Sequence, residues 1–203
     1  MEPTRPGAST PLRADAARNH RKIVEAAAEA FESDGPDVPL EEIARRAGLG
    51  VATLYRRFRT REQLVRAVVE ELFAAEVEPT ADVDTGDPWE DLTGALTRAL
   101  DVIAGRTVIL KLARAWAAYD VDTVHRYGRA LGRLLERARE AGVVRPELTV
   151  RDLSAVLVMA MTVARHGDPG GADRRRYLAL LIDGMRPAPD PLPPSGETRP
   201  ARS

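Results

Sequence analysis

The 203-residue chain contains no cysteine and only two lysines, and aromatic residues make up 4% of it. The missing thiols exclude disulfide bridges, thiolate metal sites and a cysteine nucleophile. The longest apolar stretch, Val156 to Ala164, is interrupted by Thr162 and is far shorter than the ~20 residues that a membrane-spanning helix needs. No apolar core of a secretory signal is visible at the start. We therefore expect a cytoplasmic protein without a membrane partner.

Sequence patterns for catalysis and metal binding are missing too. The three histidines, His20, His125 and His166, are scattered along the chain and do not have the spacing of metal ligands. There is neither a glycine-rich phosphate loop nor a Gly-x-Ser-x-Gly nucleophile elbow. The sequence therefore predicts no metal site, no cofactor and no enzymatic activity.

Helical periodicity dominates the chain, and no convincing alternating strand appears. Residues 1–14 and 187–203 are rich in proline and poor in apolar side chains, which predicts a disordered N-terminal arm and a disordered C-terminal tail. An acidic, proline-containing segment, Val77 to Asp87, marks the boundary between two helical domains, which we place at 15–76 and 77–186. The prediction is an all-α fold of about nine helices.

Local capping signals set the ends of several helices. Thr60 to Gln63 has the pattern of a capping box, and so does Thr149 to Asp152. Asp87 precedes a proline at the first position of another helix. Gly142 follows a long amphipathic segment and is expected to end that helix.

Two short helices in the first domain have the spacing of a helix-turn-helix. Apolar stripes predict helices over Leu40–Ala47 and Val51–Phe58, joined by Gly48-Leu49-Gly50. The outward face of the second helix carries small, hydroxyl and guanidinium groups, which suit the major groove of DNA. The side chains on this face are Ala52, Thr53, Tyr55, Arg56 and Arg57.

The formal net charge of −1 hides an uneven distribution. Residues 45–66 hold seven arginines against one acid, a local charge of +6, and residues 13–22 add +3, which leaves −10 for the remainder. A basic first domain attached to an acidic body favours a polyanionic partner for that domain. The alternative, a solvated helix face, is the preferred interpretation for Arg45 and Arg46.

The segment Leu40–Leu64, LEEIARRAGLGVATLYRRFRTREQL, strongly resembles the DNA-binding module of TetR-family transcriptional repressors. The helix from Arg21 to Phe31 matches the first helix of that module, so the resemblance covers about residues 15–75. Three positions depart from the family pattern: the starts of two helices and Arg56. Pro39 stands where a Thr or Ser usually opens the second helix, and Gly50 replaces a common Ser before the third.

By this resemblance, the second helix of the motif lies in the major groove of an operator. The residues placed near base edges or phosphates are Thr53, Tyr55 and Arg56, and those expected to contact phosphate are Arg57 and Arg61. Arg56 occupies a position that is often aromatic or variable in the family. For that reason the operator sequence is not carried over.

The last two predicted helices, Thr149–Arg165 and Asp173–Met185, are apolar over more than one face. Such helices must be buried on several sides, which predicts a two-fold homodimer resembling the family's dimers. Two-fold symmetry also suits a palindromic operator. The residues assigned to the interface are Leu153, Val156, Leu157, Ala160, Tyr177, Leu178, Leu181 and Ile182.

A ligand cavity in the second domain can be built from Trp116, Tyr119, His125 and Met159. A packed core is the alternative for the same residues. The resemblance implies a small-molecule effector that shifts the protein between two states. The sequence thus predicts a one-component repressor released from DNA by this effector. The competing hypothesis is an all-α protein that binds a small molecule or a partner and retains a degenerate helix-turn-helix.

Overall fold

The computed structural model describes residues 10–115, 121–163 and 170–194. This part of the chain contains nine α-helices and no β-strand, which confirms the all-α prediction. The helices are α1 (Thr10–Asp34), α2 (Leu40–Arg46), α3 (Val51–Arg57), α4 (Arg61–Leu72), α5 (Pro88–Gly105), α6 (Thr107–Ala115), α7 (Val121–Glu140), α8 (Val150–Val163) and α9 (Ala172–Asp183). Within the described ranges, none of these helices is long and apolar enough to cross a membrane.

Two helical stretches extend beyond the predicted limits. Helix α1 begins at Thr10, so residues 10–14 are helical and do not belong to a disordered arm; residues 1–9 lie outside the described residues. Helix α4 continues through a π-helical turn, Phe73–Val77, and a 3₁₀ turn, Glu78–Ala81. Val77 and Ala81 are buried there, and their burial favours these turns in a segment that its acidic residues and proline had marked as helix-poor.

The predicted capping interactions form. The hydroxyl of Thr60 accepts a hydrogen bond from the Gln63 amide at 3.2 Å, and the Thr149 amide donates to the Asp152 carboxylate at 2.8 Å. Asp87 accepts from the first amides of α5. Gly142 has φ +66°, the left-handed conformation that ends many helices.

The described helices belong to two compact units, each assembled from two stretches of the chain. The first unit takes in Met1–Thr80 and Asp101–Tyr127, and the second takes in Ala81–Leu100 and Gly128–Ser203. The predicted boundary between residues 76 and 77 lies close to one division. Residues 101–127, which the prediction placed in the second domain, are grouped with the first unit.

Helices α1, α2, α3, α4 and α6 share the hydrophobic core of the first unit. Its largest fully buried side chains are Ile23, Phe31, Ile43, Leu54, Leu64 and Ile109. Glu32 of α1 joins the first turn of α6 to this core, because its carboxylate accepts hydrogen bonds from the amides of Val108 at 3.3 Å and Ile109 at 3.0 Å. These are amides that the helix itself leaves unsatisfied.

In the second unit, α8 packs against α9, and a buried carboxylate supports α5. Asp91 accepts hydrogen bonds from the Thr85 hydroxyl at 2.7 Å and from Arg137 Nη2 at 2.9 Å. Burial by itself would raise the pKa of Asp91, but the hydrogen bonds from Thr85 and the charge of Arg137 lower it below its ordinary value. The carboxylate is therefore ionised in the folded protein at neutral pH.

The chain that follows α9 lies along the loop before α8. The Arg145 amide donates to Met185 O at 2.9 Å, its guanidinium donates to Asp190 O at 2.7 Å, and the Leu192 amide donates to Glu147 at 2.8 Å. Residues 187–194 of the predicted disordered tail are thus held by specific hydrogen bonds. The remaining tail residues, 195–203, lie outside the described residues.

Candidate nucleic-acid interface

The packing of α2 against α3 follows from their apolar positions. Ile43 and Ala44 of α2 and Leu54 of α3 are buried, so the two helices share the core of the first unit. Gly48 in the connecting turn has φ +66°, which favours glycine because a Cβ strains this conformation. The turn and the buried side chains together fix the direction of α3.

Five of the six predicted DNA-binding residues lie on α3. Ala52, Tyr55, Arg56 and Arg57 are exposed, and Thr53 is half-buried. Tyr55 is not packed between helices: 45% of its surface is exposed, and its hydroxyl donates to Glu41 Oε1 at 3.3 Å. The negative charge of Glu41 raises the pKa of Tyr55. The phenol therefore stays protonated and keeps its hydrogen for donation.

Several arginines of residues 45–66, called the basic segment below, are already paired with carboxylates. Arg45 binds Glu42 through two hydrogen bonds of 2.6 and 2.7 Å. Arg46 binds the same carboxylate at 2.9 Å and also pairs with Asp34. These hydrogen bonds lower the pKa of Glu42 to about 2. Both arginines serve as intramolecular partners on the surface of α2.

Arg61 makes intramolecular contacts at the start of α4. Its guanidinium donates to Pro36 O at 2.6 Å and to Val38 O, and it lies over the ring of Phe31, 5.7 Å from the centroid. This geometry uses the guanidinium to hold the loop between α1 and α2. Each of these Nη groups has a second hydrogen, so the contact of Arg61 with a phosphate stays a prediction.

Besides Arg61, which bonds to carbonyl oxygens, three arginines of residues 45–66 have no carboxylate partner among the described residues: Arg56, Arg57 and Arg59. Arg56 Nη2 donates to the Thr53 hydroxyl at 3.3 Å. Arg57 Nε donates to Nδ1 of His20 at 3.0 Å. The positive charge available to a partner is thus concentrated at the C-terminal end of α3 and in the turn after it.

His20 is the site residue that the sequence did not identify. In the sequence, His20 is one of three scattered histidines whose spacing does not suit a metal site. Its hydrogen bond with Arg57 joins residues 37 positions apart, and no pattern of neighbouring residues predicts such a contact. The described residues also contain no group of three or more histidine and acidic side chains placed to hold a metal ion.

The two departures at helix starts, Pro39 and Gly50, change how α2 and α3 are capped. Pro39 is the N-cap of α2 and Gly50 the N-cap of α3, and neither helix has a side-chain cap. A hydroxyl that the family usually supplies at each position is absent from this surface. Backbone amides are left as the polar groups at those helix starts.

The predicted ligand pocket falls largely on parts of the chain that the structure does not describe. Trp116 and Tyr119 lie outside the described residues, as does the side chain of His125, while Met159 is 47% exposed. The described residues line a cleft of about 330 Å³ in the first unit, between α1, α4 and α6. A cleft of about 370 Å³ lies between α5 and α9 in the second unit.

Most of the predicted interface residues are buried within the chain itself. Side chains that are already covered in the single chain are Leu153, Val156, Leu157, Ala160 and Leu178. Their burial is complete or nearly so without a partner, and their assignment to a dimer interface stays a prediction. Leu181 and Ile182 are half-buried. The apolar side chains left exposed on α8 and α9 are Val158, Met159, Tyr177 and Leu180.

Comparison with known proteins places this architecture in a family. Residues 23–68 match the family model of bacterial regulatory proteins of the tetR family, and residues 87–187 match the C-terminal domain of SbtR-like transcriptional regulators. A comparison with curated proteins found no match.

Solved structures resemble the chain over most of its length. A TetR transcription regulatory protein from Mycobacterium vanbaalenii is 30% identical, with 86% of this chain and 99% of that chain covered and a TM-score of 0.62. The regulator SCO0520 from Streptomyces coelicolor is 32% identical over 83% and 98% of the two chains, with a TM-score of 0.58.

A more distant structure shares the fold. LfrR from Mycobacterium smegmatis, solved in complex with proflavine, is 21% identical over 85% of this chain and 98% of that one, with a TM-score of 0.57. The two family models and the structures of 30% identity or more agree with the helix-turn-helix formed by α2 and α3. The chain belongs to the TetR family of transcriptional regulators.

Proposed function

We propose that this regulator is a cytoplasmic repressor that binds a palindromic operator as a homodimer, with one α3 in each of two major-groove segments. The observation that carries the proposal is the exposed face of α3. That face holds Tyr55, Arg56 and Arg57, and the two arginines have no carboxylate partner among the described residues. A cationic helix that is anchored on its other side by buried Leu54 suits the major groove.

The residues of this face divide between reading bases and binding the backbone. Ala52 and Thr53 can meet thymine methyl groups, and Arg56 can bind guanine O6 and N7 in a bidentate manner. Arg57 and Arg59 lie at the end of α3 and beyond it, where their guanidinium groups can bind phosphates. Tyr55 can give its hydroxyl hydrogen to a phosphate in place of Glu41.

Dimerisation is supported by the exposed apolar side chains of α8 and α9. Val158 is 58% exposed and Leu180 is 62% exposed, and apolar groups of this size gain free energy when a partner covers them. A second copy that presents the same face covers them symmetrically. The half-buried Leu181 lies close to Tyr177 on the helix surface and can contribute to this face, whereas Ile182 lines the cleft between α5 and α9.

Release by a small-molecule effector is the regulatory part of the proposal. The complex of LfrR with proflavine shows that a protein of this fold accommodates such a ligand. In this chain, the pocket formed by Trp116, Tyr119 and His125 stays a prediction. An effector acts by binding one of two conformations more tightly than the other.

The test is selection of genomic DNA fragments by the purified protein, followed by footprinting on the selected duplex. We expect a palindromic footprint in the wild-type protein that Arg56→Ala removes while the protein stays dimeric. The same selected duplex should lose affinity steeply with salt. A protein that selects no sequence, or binds with no dependence on salt, would instead fit a small-molecule-binding protein with a degenerate helix-turn-helix.

A further inference from the structure

A half-buried histidine of α1 lies at the edge of the candidate interface. Nδ1 of His20 is 3.0 Å from Nε of Arg57, the last residue of α3. The Nε of arginine is only ever a donor, so Nδ1 must carry the lone pair and the imidazole must be neutral. Among the described residues, both Nη groups of Arg57 are left without a hydrogen-bond partner.

The imidazole is itself held in place by the core. Its ring packs against Phe58 with 5.3 Å between centroids and 31° between the planes, and Phe58 is buried. His20 and Arg57 also line a cleft of about 180 Å³ between α1 and α3, together with Thr53 and Arg56. The acceptor for Arg57 therefore sits on a fixed ring rather than on a mobile side chain.

We propose that His20 is a positioning residue for DNA binding: its neutral imidazole holds the Nε of Arg57, which leaves the two Nη groups of that guanidinium free for a phosphate. The inference rests on the proposed function. A free arginine samples many rotamers and loses that freedom when it binds. An arginine that is already held at Nε loses less, because part of its ordering has occurred in the free protein.

The charged groups around His20 explain why the imidazole is neutral. Arg57 and Arg56 face it from α3, and Glu71 acts on it from α4. Burial and the charge of Arg57 lower the pKa of His20, and Glu71 opposes them with a smaller effect. At pH 8 the imidazole accepts the hydrogen bond. At low pH it becomes a cation that repels Arg57 and has no lone pair at Nδ1.

A double-mutant cycle tests this role. The probe is a DNA duplex selected from a randomised pool by the wild-type protein, and affinity is measured at pH 8 and fixed salt. His20→Leu keeps the bulk against Phe58 but removes the acceptor, and we expect it to weaken binding roughly fivefold. His20→Asn places Oδ1 at the position of Nδ1, so it should retain most of the affinity.

The same substitution of His20 in an Arg57→Ala protein distinguishes a positioning role for His20 from general support of the fold. In Arg57→Ala protein, His20→Leu should have no further effect on affinity. Equal losses in the two backgrounds, or no loss in the wild-type background, would overturn the proposal. Repeating the cycle at a pH below the His20 pKa, as measured by nuclear magnetic resonance, should abolish the coupling between the two residues, and a coupling that persists unchanged there would also overturn it. Circular dichroism melts show whether each variant is folded, and His20→Asn keeps the test usable if the leucine variant is not.

Nuclear magnetic resonance of the DNA-free protein tests the role of His20 independently of DNA binding. It therefore distinguishes an error in the positioning role from an error in the proposed function. Imidazole ¹⁵N shifts of His20 at pH 8 should report a neutral ring with hydrogen on Nε2, and Arg57→Ala should change the Nδ1 shift. A ring protonated at Nδ1 overturns the positioning role even when DNA binds. A wild-type protein that selects no duplex overturns the proposed function, whatever the tautomer.

Discussion

The outward face of α3 exposes cationic side chains, whereas the exposed face of α8 and α9 presents apolar side chains to solvent. On α3, Arg56 and Arg57 lack a carboxylate partner within the described part of the chain. On α8 and α9, Val158 and Leu180 are more than half exposed. An unpaired cation is well solvated and attracts a polyanion over a distance, whereas an exposed leucine gains only on close contact. The two surfaces are therefore suited to different partners.

Both faces rest on a buried layer of their own helix. Leu54 is fully buried beneath the exposed residues of α3, and Leu153 and Ala160 are fully buried beneath those of α8. Because a helix turns by 100° per residue, positions three or four apart share a face, and the core and the surface take different sets of positions. Each surface can thus be altered by substitution while the core that positions it stays intact.

The largest effect should come from charging the apolar face. The double variant Met159→Glu with Leu180→Glu places carboxylates where apolar contact is proposed, so we expect monomers in sedimentation experiments. Operator affinity should fall by more than ~100-fold, because one module binds without the gain from its linked partner. Lys111→Glu, which changes charge at an exposed residue of the first unit, is the control and should stay dimeric. A double variant that remains dimeric would place the interface elsewhere.

Truncation on α3 should come next. Arg56→Ala is expected to weaken binding to the selected operator by roughly 10–100-fold, since a bidentate pair with guanine contributes about 1–3 kcal/mol. Sedimentation of this variant should match the wild type. The matched control is Arg45→Ala, because Arg45 is also exposed but is paired with Glu42. Equal losses from the two substitutions would mean that general charge, not the face of α3, determines affinity.

Salt dependence should separate the arginines of the basic segment. Arg57→Ala and Arg59→Ala should each reduce the slope of log affinity against log salt by ~0.9, the value for one released phosphate contact. Arg61→Ala should leave the slope almost unchanged and lower the melting temperature, because Arg61 holds Pro36 O and Val38 O. A reduced slope with an unaltered melting temperature would instead confirm the phosphate contact that the sequence predicts for Arg61.

The smallest effect concerns the ion pairs of α2. Because hydrogen bonds from Arg45 and Arg46 lower the pKa of Glu42 to about 2, its ionised form stabilises the folded state. That contribution is complete above the ordinary glutamate pKa of about 4.3 and is lost as the pH falls towards 2. Glu42→Gln should therefore melt slightly lower than wild type at pH 7, and the difference should shrink at acid pH. A difference that does not change with pH would contradict the assignment.

The sequence predicted those features that depend on neighbouring residues. Caps such as Thr60 and Asp87 interact within three residues, and the helix-turn-helix follows from spacing alone. Contacts between distant residues escaped prediction, because periodicity shows which face is apolar but not what covers it. The pairing of His20 with Arg57 and the return of α6 to the first unit are examples. Leu153 was assigned to a partner for the same reason, although it is fully buried in the single chain.

The two amide hydrogen bonds at Glu32 give α1 a mechanical role. One end of the helix holds the first turn of α6 through Glu32, and His20, twelve residues earlier, holds Arg57. At 1.5 Å per residue the two attachment points are about 18 Å apart along one rod. A tilt of about 3° about either point moves the other by about 1 Å over that length. A rotation of α1 about its attachment to α6 would therefore shift the imidazole that accepts the hydrogen bond from Arg57.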